Sequence, residues 1–422
     1  MKPDTSLYQK TVLDNGIRVI SEELPFFHSV ALGVWVTVGS RDETVEEGGL
    51  THFLEHMAFK GTARRCAFDI AREIDQMGGS CNAFTTKENT CFHGRVLADG
   101  LPRLVDLLSD LVLNSRLETS DLDLERQVIL EEIAAQDDNP EDLVQVEFGR
   151  NFWGENSFGR PILGEAADVS RFGRENLLAF RGATYRPGSI IVAAAGRVKH
   201  QELVDLAAEC FQKFTNGAPG RSRSGVATYP GVYRHTRDLE QVHVCLGTLG
   251  PTARDRRRYE ATLLNLILGG NMSSRLFQVV REKLGLAYNI YSFLSFFSDT
   301  GLWGIGAGVS PKNLEPLMAA VRQELKQMKD EAVSEAELRA AQDFFRGSVF
   351  LNAEDCEHRM LRLAKNEIHF GHYISLEEII GGLQQVTRTQ IQDLAAELLE
   401  PRNWALTMLG PVDGAGEGGL DF

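Results

Sequence analysis

The chain has 422 residues, of which 43% are apolar, 24% charged and 8% aromatic. At roughly 150 residues per domain this predicts two or three domains, and the composition excludes a disordered, collagen-like or coiled-coil chain. Lys and Arg total 44 against 59 Asp and Glu, a formal charge of -15; a field of that sign repels a phosphate backbone, so no nucleic-acid partner is expected.

Apolar runs such as Ile190 to Ala195 fall short of the roughly 18 residues of a membrane-spanning helix, and no membrane span is expected. The opening Met1-Lys2-Pro3-Asp4-Thr5 lacks the apolar core of a signal peptide, and the six cysteines show no CxxC spacing. A cytoplasmic, reducing location is the expectation.

In chain order, Thr11 to Leu13, Asn15-Gly16 and Ile17 to Ile20 read as a hairpin with a tight turn. Ser29 to Val38 reads as a strand, and a helix begins near Gly48 with Leu50, Phe53, Leu54 and Met57 at helical spacing. A helix over Phe68 to Met77 is stopped by Gly78-Gly79. Strands follow at about 80–85 and 90–97, then helices at 101–115 and 121–137. An irregular stretch leads to a buried strand, Ser189 to Ala195, and a helix, Gln201 to Phe214.

Asn216 to Gly225 is rich in Gly, Pro, Ser and Arg and reads as a linker. Beyond it come a strand at 242–247, helices at 259–268 and 275–283, a strand pair at 287–296 and 301–307, long helices at 312–330, 334–369 and 375–399, and a strand at 404–409. Strand 242 answers strand 31, hairpin 287 answers hairpin 80, and strand 404 answers strand 189, which predicts two copies of one unit. The expected fold is α+β, two tandem similar α/β halves, each a mainly antiparallel sheet packed with helices. The expected divisions are 1–215, a linker at 216–226, 227–411, and a Gly-rich acidic tail at 412–422.

The chemistry concentrates in His52-Phe53-Leu54-Glu55-His56. Residues four apart on a helix share a face, so His52 and His56 can offer imidazole nitrogens to one ion, with Glu55 on the same arc. That is the pattern of a zinc site with a carboxylate beside it. Catalytic zinc takes a third protein ligand, and the 121–137 helix offers Glu125, Glu131 and Glu132. Taking Leu124, Val128, Ile129 and Ile133 as the buried stripe, Glu125 and Glu132 lie beside it, seven residues or about two turns apart, while Glu131 is turned about 100° away. Glu132 is the candidate ligand and Glu125 a carboxylate supporting it.

Gly48-Gly49-Leu50-Thr51-His52-Phe53-Leu54-Glu55-His56-Met57-Ala58-Phe59-Lys60-Gly61-Thr62 closely resembles the active-site segment of the pitrilysin/insulinase peptidases, the inverted zincins. Asn82 to Thr85, Val128 to Ile133, Met272 to Phe277 and Arg281 to Tyr288 extend the likeness across the chain. The resemblance implies a zinc endopeptidase with one zinc per chain held by His52, His56 and Glu132, with Glu55 as general base and Glu125 as supporting acid. It implies that Asn82 and Ala83 lie on an edge strand that aligns an extended peptide, that Phe59 favours an apolar side chain after the scissile bond, and that Arg281 and Tyr288 reach the peptide from the second half.

It further implies a clamshell arrangement, a peptide or unfolded protein as partner, and a homodimer. The second copy reads LLNLIL over Leu263 to Leu268, where the first has its histidines, so only the first half is expected to hold metal. Asp142 matches one of two acidic residues that read arginine in relatives, but Val146 stands in the other place. Two other readings are a non-catalytic core or partner subunit of this fold, which predicts a broken motif, and a chaperone-like peptide-binding module, which needs a fourth protein ligand for structural zinc.

Overall fold

The computed structural model describes residues 7–215, 221, 223 and 225–412. Much of the expected linker, and the expected tail from residue 413 on, lie outside the described residues.

The chain runs through β1 (Tyr8–Val12), β2 (Arg18–Glu23), β3 (Ser29–Val36), α1 (Leu50–Ala58), α2 (Ala67–Gln76), β4 (Ser80–Thr85) and β5 (Thr90–Leu97). Next come α3 (Leu101–Asn114), α4 (Thr119–Asp138), α5 (Pro140–Trp153), α6 (Ala166–Arg171), α7 (Arg174–Thr184), β6 (Ile190–Gly196) and α8 (His200–Phe211). The remainder holds β7 (Gly231–Thr236), β8 (Val242–Leu249), α9 (Arg258–Leu268), a π-helical segment Phe277–Lys283, β9 (Ala287–Phe296) and β10 (Gly301–Val309). It ends with α10 (Leu314–Asp330), α11 (Glu335–Asn352), α12 (Cys356–Phe370), α13 (Leu376–Gln384), α14 (Arg388–Leu398) and β11 (Ala405–Gly410).

The fold is mixed α/β with two sheets. The strand orders are β1-β2-β6-β3-β5-β4 and β7-β11-β8-β10-β9. Leaving β1 aside, each strand of the first has a counterpart in the second. The pairing sense agrees throughout: β2 with β6 and β7 with β11 are parallel, and every other neighbour is antiparallel. The duplication seen as an offset in the sequence is thus repeated in the topology.

Two compact units form, but they are not the chain halves 1–215 and 227–411. One comprises the chain up to Ala134, the chain from Arg160 into the linker, and Phe350–Ser375; the other comprises Ala135–Gly159, Gly225–Val349 and the chain from Leu376 on. The reason lies in the sheets, whose central strands are apolar on both faces and need cover on both. In the first unit, Val30, Leu32, Val34 and Val36 pack beneath α1 and α3, while Ala31, Trp35, Ile191 and Ala193 of the opposite face are covered by Cys356, Met360, Leu363 and Ala364 of α12. In the second, Cys245, Ala405 and Leu409 are covered by Leu143, Val144, Phe148 and Phe152 of α5.

Each covering helix lies close to its sheet over a glycine. A Cβ on Gly33 would stand 2.6 Å from Met360 Sδ, and one on Gly247 would stand 2.6 Å from Phe148 Cζ. α12 is also held by charge. Buried Glu22 takes Arg359 at 2.7 Å and Arg362 at 3.3 Å, and buried Glu367 takes Lys10 at 2.7 Å and Arg18 at 3.3 Å.

The stretch expected to be irregular before Ser189 holds α5, α6 and α7. The expected helix 334–369 is broken into α11 and α12, because Asp355 accepts the N–H groups of Glu357 and His358 and starts a new helix. The expected helix 375–399 is broken by Thr387, which caps α14 through Gln390. Among the described residues no helix is long and apolar enough to cross a membrane.

His200, at the start of α8, is buried with Nε2 2.8 Å from Thr11 Oγ1 and Nδ1 2.8 Å from Ser21 Oγ. Burial holds its pKa below the ordinary histidine value. The unfolded chain then binds the proton more readily than the native one, so this histidine withdraws stability as pH falls through its unfolded value of about 6.5. The midpoint of urea unfolding is predicted to drop between about pH 7.5 and pH 5.5, and to drop less in His200→Gln. An equal drop in the variant would remove His200 from the account.

Candidate active site

α1 starts at Gly49, whose φ of 95° is left-handed and whose Cβ position lies 2.7 Å from the Leu163 carbonyl, so glycine is required there. The helix buries Leu50, Phe53, Leu54 and Met57 against the sheet and turns His52 and His56 to one side, their ring centroids 4.6 Å apart. α4 runs alongside. Its buried residues are Leu122, Glu125, Ile129 and Ile133, while Leu124 and Val128 are exposed. The apolar stripe expected over Leu124 and Val128 is therefore corrected by one helical face: Glu125 lies within the buried stripe and Glu131 is exposed.

His52, His56 and Glu132 bring one ligand atom each within 4.8 Å of the others, the one such group of three among the described residues. Glu132 Oε2 stands 3.8 Å from His52 Nε2 and 3.5 Å from His56 Nε2. These gaps are too long for good hydrogen bonds. They are close to the roughly 3.3 Å that separates tetrahedral ligands each about 2.0–2.1 Å from a zinc ion. Two imidazoles and a carboxylate, with room for a fourth ligand, are also the donor chemistry catalytic zinc takes, so these residues fit the metal. Burial, and then the neighbouring His56, push the His52 pKa down to about 3, so its ring is neutral and available as a donor.

Glu125 is buried under His56, its Oε2 3.0 Å from His56 Nδ1 and its Oε1 2.5 Å from Lys60 Nζ. A carboxylate there fixes the Nδ1–H tautomer of His56 and leaves Nε2 with its lone pair towards Glu132. Glu55 is half-buried; burial raises its pKa above the ordinary carboxyl value, and the Thr85 hydroxyl, which donates to Glu55 Oε2, opposes the rise.

Thr85 ends β4, the edge strand beside β5. Asn82 is exposed on that edge, and its side-chain carbonyl accepts the Ala83 N–H at 2.9 Å. Phe59, just past α1, is partly buried and tilted against Phe92. Arg281 and Tyr288 lie in the other unit. Tyr288 is 80% exposed at the start of β9, and the Arg281 guanidinium lies 4.4 Å from its ring centroid and 4.8 Å from that of Phe277. α9, which answers α1, buries Leu263, Leu264, Ile267 and Leu268.

Lys60 and Thr85 fall within the motifs read from the sequence but are given no role there, and Glu43 lies outside them. Lys60 stands four residues after His56 and was within reach of helical spacing. Thr85 shares a strand face with Ala83, two residues away. Glu43, whose carboxylate accepts the Gly49 N–H at 3.0 Å and the Thr51 N–H at 2.7 Å, carries no spacing signal.

The family model described as Insulinase (Peptidase family M16) matches residues 18–166, and that described as Peptidase M16 inactive domain matches residues 171–344. The chain belongs to peptidase family M16. An uncharacterized zinc protease of Mycobacterium tuberculosis is 41% identical over 408 residues, covering 96% of this chain and 93% of the relative. One of Bacillus subtilis is 34% identical over 409 residues, covering 96% and 98%. Among solved structures, a protease from Helicobacter pylori has a TM-score of 0.91 at 21% identity, covering 97% of this chain and 100% of that one. A peptidase M16 inactive domain from Pseudomonas fluorescens has a TM-score of 0.88 at 20% identity, covering 96% and 98%. The Insulinase (Peptidase family M16) model spans α1 and α4 with their His and Glu residues, and the inactive-domain model spans α9, which has no histidine.

Proposed function

We propose that the protein is a zinc-dependent endopeptidase that hydrolyses extended peptides or unfolded protein segments. The observation that carries this reading is the convergence of His52, His56 and Glu132 beside the half-buried Glu55. Zinc bound by those three residues would supply a Lewis acid for the scissile carbonyl and would acidify water. Glu55 takes the proton of the attacking water and delivers it to the leaving amine, a role suited to a carboxyl whose pKa burial has raised. Thr85 holds one oxygen of Glu55, and Glu125 with Lys60 holds the His56 ring.

The edge strand β4 offers its backbone to a peptide in β-augmentation, a binding mode that leaves side chains free to vary. Asn82 and Ala83 pair with that peptide, Phe59 faces an apolar side chain after the scissile bond, and Arg281 and Tyr288 supply donors to the substrate backbone or the oxyanion. In the same reading the protein holds one zinc per chain, takes peptide as its partner, and works as a homodimer in the cytoplasm.

The test is metal analysis of the purified protein together with cleavage of a quenched peptide library. One zinc per chain is expected, with cleavage lost on chelation and restored by zinc. Cleavage indifferent to chelation, or none with zinc bound, would overturn the reading.

A further inference from the structure

The four leading N–H groups of a helix have no partner within it, and α1, with glycine at its N-cap, has no side chain there to accept them. Glu43 fills the gap from outside the helix. Its two carboxylate oxygens are divided between the Gly49 and Thr51 N–H groups, six and eight residues on, and the residue is only 5% exposed. A negative charge is favoured at that helix end, and hydrogen bonds to a charged acceptor are the stronger kind.

Glu43 is also tied to the substrate-edge hairpin. Arg160 donates through Nη2 to the Glu43 carbonyl at 2.6 Å, and the Lys87 ammonium donates to the Arg160 carbonyl. Lys87 lies in the β4–β5 turn, whose Thr86 and Lys87 carbonyls accept the Ser40 N–H at 3.1 Å and the Arg41 N–H at 2.9 Å. The loop bearing Glu43, the turn that follows β4, and the first turn of α1 are thus bonded into one polar cluster. His52 is the residue after Thr51, and Ala83 lies four residues before Lys87.

We propose that Glu43 is a positioning residue of the peptidase: through the N–H groups of Gly49 and Thr51 it sets the start of α1, and so the placing of His52, Glu55 and His56 relative to the β4 edge. The proposal rests on the zinc-peptidase reading. Burial pushes the Glu43 carboxyl up to about 7 in spite of these hydrogen bonds and Arg160, and it pulls the Lys87 ammonium down to about 8. The protein thus buries a carboxyl group that is costly to ionise and holds it on two backbone N–H groups, which a role in solubility would not require.

Glu43→Gln is isosteric but leaves one of the two N–H groups facing an amide donor. Because it also removes the negative charge near the partly buried Lys87 and Arg160, the charge-balanced Glu43→Gln/Lys87→Gln is made alongside it. Zinc affinity is measured by competition with a chromophoric chelator, kcat and KM with a quenched peptide at saturating zinc, and urea unfolding on the zinc-free proteins.

Both variants are expected to bind zinc about 10–100-fold more weakly and to lose kcat, with KM within about twofold of the parent. The double variant is expected to keep the parent's zinc-free unfolding midpoint. Unchanged zinc affinity in either variant, with or without a loss of cleavage, overturns the proposal. So does loss of a cooperative unfolding transition in the double variant, since the carboxylate would then be a requirement of folding. If the parent neither binds zinc nor cleaves, the zinc-peptidase reading fails instead, and the parent measurements reveal that first.

Discussion

Glu55→Gln is expected to lower peptide turnover by about 10²–10⁴-fold while zinc stays bound. The two effects separate because Glu55 stands outside the group formed by His52, His56 and Glu132. Glutamine keeps the shape of the side chain and can still accept the Thr85 hydroxyl. What it loses is the capacity to take a proton from water and pass it to the leaving amine. Turnover with a quenched peptide and zinc content by metal analysis are read on the same preparation. Near-normal turnover would sink the assignment of the general base, and loss of zinc would place Glu55 among the ligands.

Phe148→Ala is expected to destabilise the second unit by about 3–5 kcal/mol, the range for emptying a buried aromatic site. Phe148 is 1% exposed, stacks on Phe152 with centroids 5.3 Å apart, and lies over Gly247 with no Cβ between ring and sheet. Both sides of the resulting hole are rigid, a β-sheet and a helix, so little collapse can refill it. Urea unfolding followed by tryptophan fluorescence measures the change, Trp153, Trp303 and Trp404 all being buried in that unit. A loss below about 1 kcal/mol would mean that α5 does not cover this sheet.

The candidate metal group was legible in the sequence because most of it is local. His52, Glu55 and His56 occupy one helical turn, and Glu132 follows from the need for a third donor on a helix that also carries Glu125. Spacing alone misjudged the α4 face: counting apolar residues favours Leu124 and Val128, whereas the buried row runs Leu122, Glu125, Ile129, Ile133, with a carboxylate that a hydrophobic pattern scores as outward.

α5 has a full set of start signals, Asn139 capping Pro140-Glu141-Asp142, but Gly149 interrupts its apolar pattern and its role is to cover a sheet far along the chain. β7 has only half-exposed and exposed residues, with no alternation to mark it, and its match to β2 emerges only from the strand order. Glu43 and Thr85 reach α1 from other elements, and contacts of that kind exist only once the chain has folded.

The covering of the first sheet by α12 sets an order on how the chain can mature. A ribosome that has delivered residues up to Phe211 has released every strand of that sheet and the three candidate metal ligands, yet the face carrying Ile20, Trp35 and Ile191 still lacks its covering helix. It remains sticky until Met360 and Leu363 emerge, after α9, β9, β10, α10 and α11 have been made. The nascent first unit therefore shows an apolar sheet face, the kind of surface through which incomplete chains aggregate, until a single late helix arrives.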